Sequence, residues 1–487
     1  MDGMKTNSEI SLRTVIWLLF AAGAVFMALT GCESKSKSGF SSDEETTETY
    51  VAKPNPLKLV SIGVPGFDDE ISRQWSAQRD GELEIKHLSL DEFQESETFP
   101  EDVDLVIHPS SIIVDLISRK LIRIFPGETL DDEKLNRSAF LQHFRKSLVR
   151  HNDKTWSISL GGQQLRLLYR KDILDAAGIE VPASWEELDR AIAKLKDVDA
   201  AKDMKPILVS TADGMASQMF MARAASVIRG RGKLTAFFDR GTMKPMIEAT
   251  PFVNALESLG AFSKSAGGQH SNKEVFAKFA AGEAVFAIAW PVASSAIDVD
   301  SLEVKSADWG VSRLPGSDRF YDLKASRWQQ RSNNDETRVD LLGIEANNIS
   351  ITATTANARN AAEFVIWLTE KRNSQKLLQG VAAPFRATHL ARIGQWSGLE
   401  EIDREFWDQY ADSVKETHQS RIFLMFPQIL QKRQYLKLLD EAIVKYLNAG
   451  QQDAKQTFKD VAQQWEALTD SLGREDQIYE LRRGNGI

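Results

Sequence analysis

Cys32 is the only cysteine in the chain and closes the string Leu29-Thr30-Gly31-Cys32 at the end of an apolar run. The chemistry available to such a cysteine is acylation: the pattern marks a signal segment that is removed just before the thiol takes up lipid. Lys5 and Arg13 precede the run, which spans about 15 residues (15–29), shorter than the roughly 20 that a permanent membrane helix needs. The alternative is an uncleaved membrane helix with an inert Cys32. With its thiol acylated, the mature chain has no cysteine left for a disulfide, a nucleophile or a metal cage. Other reactive patterns are missing: no Gly-x-Ser-x-Gly, no Walker loop, no Gly-x-Gly-x-x-Gly and no His-Glu-x-x-His. Arg229-Gly230-Arg231-Gly232-Lys233 lacks the flanking residues of a phosphate loop and reads as a basic turn. The seven histidines are scattered, so neither a metal nor any other cofactor is expected. Paired acids such as Asp68-Asp69 and Glu186-Glu187 read as solvated faces or caps, although two distant carboxylates meeting in a cleft would make a glycosidase site.

The elements that must position any site begin after residue 56. Residues 33–56 are rich in Ser, Thr, Lys and Glu and cannot bury enough surface to offset their ordering entropy, so they read as a tether. The 69 acidic and 60 basic residues are spread along the chain, and no basic patch argues for nucleic acid. About 455 residues follow the signal segment, enough for two large domains. Buried strands are expected at 57–64, 83–88 and 103–108, with a helix over 113–121. Short apolar strands alternating with helices imply an α/β fold with mostly parallel sheets, in which ligands collect at the carboxyl ends of the strands. Further on, Gly178 ends a short helix. Ser184 and Glu187 then form a capping box for a helix whose buried face is Trp185, Leu188, Ile192 and Leu195.

In this stretch Tyr169, Lys171, Asp172, Gly178, Pro182, Trp185 and Glu187 fall in a pattern that resembles the extracellular solute-binding proteins of ABC importers, in particular the sugar-binding type that includes maltose-binding protein. Three further stretches agree. Residues 276–291 look like the family's helix, glycine and strand leading into an aromatic. Residues 349–353 with the amphipathic helix 358–368 look like its late crossover. Phe458, Val461, Trp465, Leu468 and Leu472 look like its terminal helices. The chain departs from the pattern at Arg170, Ser159, Ala289-Trp290-Pro291 and the long polar stretch 316–338.

The resemblance implies a two-lobed periplasmic-binding-protein fold with hinge crossovers near Gly162, Ala287 and Ala346. The expected segments are a lipoprotein signal peptide (1–31), a lipidated tether (32–56), lobe I (57–160 plus 289–345) and lobe II (161–288 plus 346–487). A sugar has flat apolar faces and a ring of hydroxyls, so its receptor needs aromatic platforms beside donors and acceptors. Trp290, which follows a predicted strand, is either such a platform or a core tryptophan. Gln163 stands where maltose-binding relatives place a ligand-contacting acid, and its amide suits neutral polyols. His108 ends the third strand with Ser110 and Ser111, the serines reading as helix caps. Phe67 and Asp68 after the first strand, Arg386 in a late loop and Trp328 in the polar stretch complete the candidate ligand-binding set. The expected protein is no enzyme. It is a monomer, held at a membrane facing the periplasm or cell exterior by lipid on Cys32, that passes a carbohydrate or similar solute to ABC permease subunits. The alternatives are a surface-anchored glycan hydrolase or lyase, and a sensor or scaffold lipoprotein with the same fold.

Overall fold

The computed structural model describes residues 56–484 except 68, 79–80, 97, 101, 229–235, 293–305, 333–334 and 450–452. The expected signal segment, Cys32, the tether, Asp68 and the basic turn at 229–233 lie outside the described residues. Nine strands build two sheets: β1 (Leu57–Ile62), β2 (Leu83–Leu88), β3 (Leu105–Pro109), β4 (Ile158–Ser159), β5 (Arg166–Arg170), β6 (Lys205–Val209), β7 (Ala284–Ala289), β8 (Trp309–Arg313) and β9 (Asn347–Ile351). β1 shows why both faces of the first sheet are covered. Leu57 and Leu59 enter one core and Val60 and Ile62 another, the two-residue period of a strand buried on both sides.

The first sheet has the order β2-β1-β3-β9-β4 and the second β8-β5-β7-β6. Parallel pairing joins β1 to β2, β1 to β3 and β8's sheet-mates β6 and β7. The other pairs are antiparallel, so the sheets are mixed and the parallel share is smaller than the strand–helix alternation suggests. Helices follow their sequence signals. The capping box at Trp185–Lys194 is formed, with the Glu187 amide donating to Ser184 Oγ at 3.2 Å, and Gly178 closes Lys171–Ala177 in the left-handed region at φ 57°. On Ala454–Ser471, Phe458, Val461 and Trp465 are fully buried.

Two stretches of backbone carry the chain between the sheets, 160–165 and 342–346, and they lie side by side. Leu160 donates its amide to Asn347 O at 2.8 Å, Asn347 to Gly161 O at 2.9 Å and Gln163 to Ile344 O at 2.9 Å. Glycine is required here. Gly161 has φ 94°, and a Cβ on it would sit 2.2 Å from Ala383 O, while one on Gly162 would meet Ala346 Cβ at 2.7 Å.

The strand pairing corrects the expected lobe segments. Residues 309–313, assigned to lobe I, form β8 and pair antiparallel with β5 in the second sheet. Residues 347–351, assigned to lobe II, form β9 and pair with β3 in the first. Ala287 is no crossover, because β7 runs between β5 and β6 inside the second sheet. Packing explains the difference. Trp309 is fully buried against Phe279 and Phe406. Gly310 faces Tyr169 across the ladder where a Cβ would lie 2.3 Å from its ring.

That pairing places Arg313 directly opposite Arg166, two like charges that would repel in an apolar interior. Asp340 lies between them. It accepts from Arg313 Nε at 2.7 Å and from Thr417 Oγ1 at 2.9 Å, and its other oxygen is 3.5 Å from Arg166 Nη1. Arg166 also donates to Ser413 Oγ, Thr417 Oγ1 and Gln164 Oε1, and Arg313 to Glu336 at 2.7 Å. Removing the shared carboxylate strands two buried guanidinium groups, so Asp340→Ala is expected to destabilise the protein by about 3–5 kcal/mol. Urea unfolding followed by tryptophan fluorescence measures it, and a midpoint equal to that of the unaltered protein would refute the assignment.

Candidate functional site

Where the two sheets meet at the crossovers, the chain leaves a cleft of about 540 Å³. One wall is made by the carboxyl ends of the first sheet: Leu90 after β2, and Pro109, Ser110 and Ser111 at the end of β3. The opposite wall is the turn after β6 and the start of the helix Met215–Ile228, with Asp213, Gly214, Ser217 and Gln218. The floor is the crossover itself, Gly343 to Ala346, fastened to the first wall by the Ser110 amide donating to Ala346 O at 2.7 Å. A helix from the carboxyl-terminal region, Lys432–Ala449, runs along the remaining side and presents Lys432, Arg433, Lys437, Asp440 and Glu441.

The helix Lys432–Ala449 is attached to both walls. Just before it, the Gln431 amide donates to Asp115 Oδ1 at 2.7 Å, and Arg433 pairs with Asp91 at 3.6 Å, both acids belonging to the first sheet's helices. Further along, Asp440 Oδ1 accepts the Ser217 amide at 2.7 Å on the opposite wall. Burial raises the Asp440 carboxyl above its usual range against the pull of the Ser217 bonds. Glu345 projects into the cleft. It is open to the cleft's own solvent but enclosed by the walls, and this desolvation pushes its carboxyl up, with nearby Asp213 adding to the effect.

Residues 150–375 match the sequence profile of a family described as bacterial extracellular solute-binding protein. Solved structures align with this fold over about 85% of the chain. Maltose-bound MalE3 of T. maritima has 17% identity and a TM-score of 0.60, with 85% of this chain and 100% of that one covered. The fold is that of an extracellular solute-binding protein. A solute-binding protein of an ABC transporter from Agrobacterium radiobacter, in complex with ribitol, shows 16% identity and a TM-score of 0.62 over 85% of this chain and 99% of its own. The sugar-binding protein MalE of Xanthomonas citri shows 12% identity and a TM-score of 0.64 over 86% and 98%. No curated protein matches the chain at the sequence level. The names of these proteins are those of solute- or sugar-binding proteins.

Within this solute-binding fold the residues expected to hold ligand are placed apart. Trp290 is 3% exposed and packed in the core of the second sheet, its amide and carbonyl both tied to the Asn272 side chain. Phe67 is in the core beneath the first sheet. His108 is fully buried, with Nε2 3.0 Å from Ser350 Oγ and Nδ1 2.9 Å from Pro109 O, and burial holds its imidazole down at about 4, so it is neutral at ordinary pH. Arg386 is buried over the Phe140 ring and donates to Thr369 O at 2.8 Å and Leu135 O at 2.7 Å, closing off a helix end and a loop. Trp328 lies on the hairpin formed by Arg319–Asp322 and Arg327–Gln330, edge-on to Tyr321 with Arg319 over its face. Gln163 is half-buried in the crossover ladder. None of these six is among the cleft-lining residues, and Asp68 is outside the described residues. Ser110 and Ser111 do line the cleft, but no side chain caps the short helix they begin, which corrects their reading as caps.

Sequence reasoning missed Glu345, Lys432 and Asp440. Lys432 and Asp440 stand eight apart on a long amphipathic helix, where nothing local marks a site, and only the chain's return to the cleft gives them one. Among the described residues no cluster of His, Cys, Asp and Glu is arranged to hold a metal ion.

Asp115 offers a pH-dependent test of how that helix is held. The residue is 9% exposed, and burial raises its carboxyl to about 6 despite the Gln431 bond and the charge of Arg119. A raised carboxyl binds its proton more tightly in the folded state, so folding loses stability as pH rises from about 4 through 6. Asp115→Asn keeps an oxygen to accept the Gln431 amide and cannot ionise. It is expected to raise stability at pH 7.5 by about 2–3 kcal/mol, the gain fading toward pH 4. Melting temperatures of both proteins across that range check it, and parallel curves would contradict it.

Proposed function

We propose that the chain is the solute receptor of an ABC importer, held at the cell envelope by lipid on Cys32, and that it captures a sugar, polyol or related polar solute in the cleft between its two sheets for delivery to permease subunits. One observation carries this reading. A cavity of about 540 Å³ lies at the carboxyl ends of strands from both sheets, and its floor is the crossover stretch Gly343 to Ala346, which is hydrogen-bonded to the other crossover. A cavity of this size suits a small ligand, and a floor made by a crossover lets rotation about the crossovers change its width. The named solutes of fold neighbours, maltose and ribitol, supply the chemical class. Polar side chains such as Ser110, Ser111 and Gln218 offer donors and acceptors for hydroxyls, and the apolar lining of Leu90, Met215 and Leu436 suits a sugar's flat face.

Such a receptor signals by closing, and a ligand favours the closed form only through its higher affinity for that form. A screen of sugars, polyols and their charged derivatives by thermal shift is therefore expected to find at least one that raises the melting temperature. A ligand at a hundred times its dissociation constant adds about 2.7 kcal/mol. X-ray scattering of that complex is expected to show a smaller radius of gyration than the free protein. A flat response across the whole panel would reject the receptor reading. Turnover of a glycan in the screen would return the hydrolase alternative.

A further inference from the structure

Lys432 stands out among the cleft residues. The residue is 4% exposed, it lines the cleft, and its ammonium makes no hydrogen bond or ion pair with any described residue. None of the acids around it pairs with it. Asp115 receives the Gln431 amide, Asp91 pairs with Arg433 and Asp440 receives the Ser217 amide, while Glu345, Asp213 and Glu441 line the cleft without bonding to the ammonium. Burial alone lowers the Lys432 ammonium to about 8, which leaves it charged at neutral pH. A buried ammonium without a counter-charge is costly. The residue also begins a helix of 18 residues, whose amino-terminal end adds positive potential at the same place. Arg433 and Lys437 extend the cationic edge along the same cleft wall.

Resting on the receptor reading above, we propose that the solute bound in this cleft is anionic, a sugar derivative bearing a carboxylate or phosphate, and that its charged group pairs with the Lys432 ammonium. The hydroxyls of Ser110 and Ser111 and the Gln218 amide, also on the cleft walls, are then available for the sugar's uncharged part. Glu345 on the floor and Asp213 on the opposite wall set the orientation, since they repel the anionic end and accept hydrogen bonds from hydroxyls.

Titration calorimetry on the full-length protein, with glucose, glucuronate, digalacturonate and glucose 6-phosphate as probes, tests the assignment. At least one acidic probe is expected to bind more tightly than glucose, and the carboxylate and phosphate arms tell which anion is preferred. Lys432→Met is expected to weaken the acidic probe by about tenfold or more and to leave the melting temperature of the ligand-free protein unchanged or higher. Lys432→Arg is expected to retain part of the affinity. Glucose binding as tightly as every acidic probe would overturn the anionic assignment and leave the receptor reading standing. So would undiminished acid binding by a folded Lys432→Met. A lower melting temperature of ligand-free Lys432→Met would also overturn it, by showing that the ammonium has a partner within the protein. No binding by any probe, with neutral solutes found in the wider screen, would overturn this assignment alone; no binding in either set would reject both.

Discussion

A shared carboxylate holds the second sheet and its return strand in one piece. Asp340 separates Arg166 from Arg313 where their strands put them opposite each other, and the same oxygens draw in Thr417 from the helix Arg404–Gln419. Gln164, bonded to Arg166, lies at the end of one crossover stretch, and Asp340 lies just before the other. Both crossover stretches therefore leave the second sheet from a common rigid point. A hinge needs such an anchor, because strands that slipped where they enter the sheet would spread a rotation over many residues. Burial disfavours the Arg166 charge, while Arg313 is held above its usual range once its two acids outweigh desolvation.

The first sheet solves the same problem with neutral groups. His108, Ser350 and Ser157 form a buried chain, the two serine oxygens 2.7 Å apart, linking β3 and β9 to the segment that enters β4. The pairing of Asn348 with His108 and with Ser159 sets the register there. An imidazole kept neutral by burial can donate at one nitrogen and accept at the other, which lets it join such a chain without a counter-ion. Both sheets thus place buried polar contacts next to the crossovers.

Much of this architecture was legible in the sequence because local signals and burial agreed. The capping box at Ser184, the glycine at 178 and the apolar spacing over residues 458–465 each name an element without knowledge of its neighbours. Topology was harder. Strands β8 and β9 are both short and mix apolar with polar residues, and nothing local tells which sheet each will join. The choice is made by contacts distant in sequence, Trp309 among Phe279 and Phe406 in one case and Ile349 beside Ile107 in the other. The site was least legible for a related reason. Aromatic and charged residues at strand ends attract notice, yet Trp290, His108 and Arg386 are consumed by packing, whereas Lys432 and Asp440 come to the cleft on a helix that begins more than 200 residues after Gln218.

The attachment of the helix Lys432–Ala449 has a kinetic consequence. Its contacts with the second-sheet side are extensive: it packs on Met215–Ile228 and Ala454–Ser471, Tyr435 and Leu439 are buried, and Trp465 Nε1 donates to Tyr435 O. On the other side it is held by the Asp115 and Asp91 contacts and by Leu430, which packs against the apolar cluster beneath the first sheet. When the sheets part, the helix must travel with the second and peel from the first at its amino-terminal end. The residence time of anything enclosed is then governed by that small detachment, and a change at Asp91 or Asp115, remote from the solute, would alter how quickly it escapes.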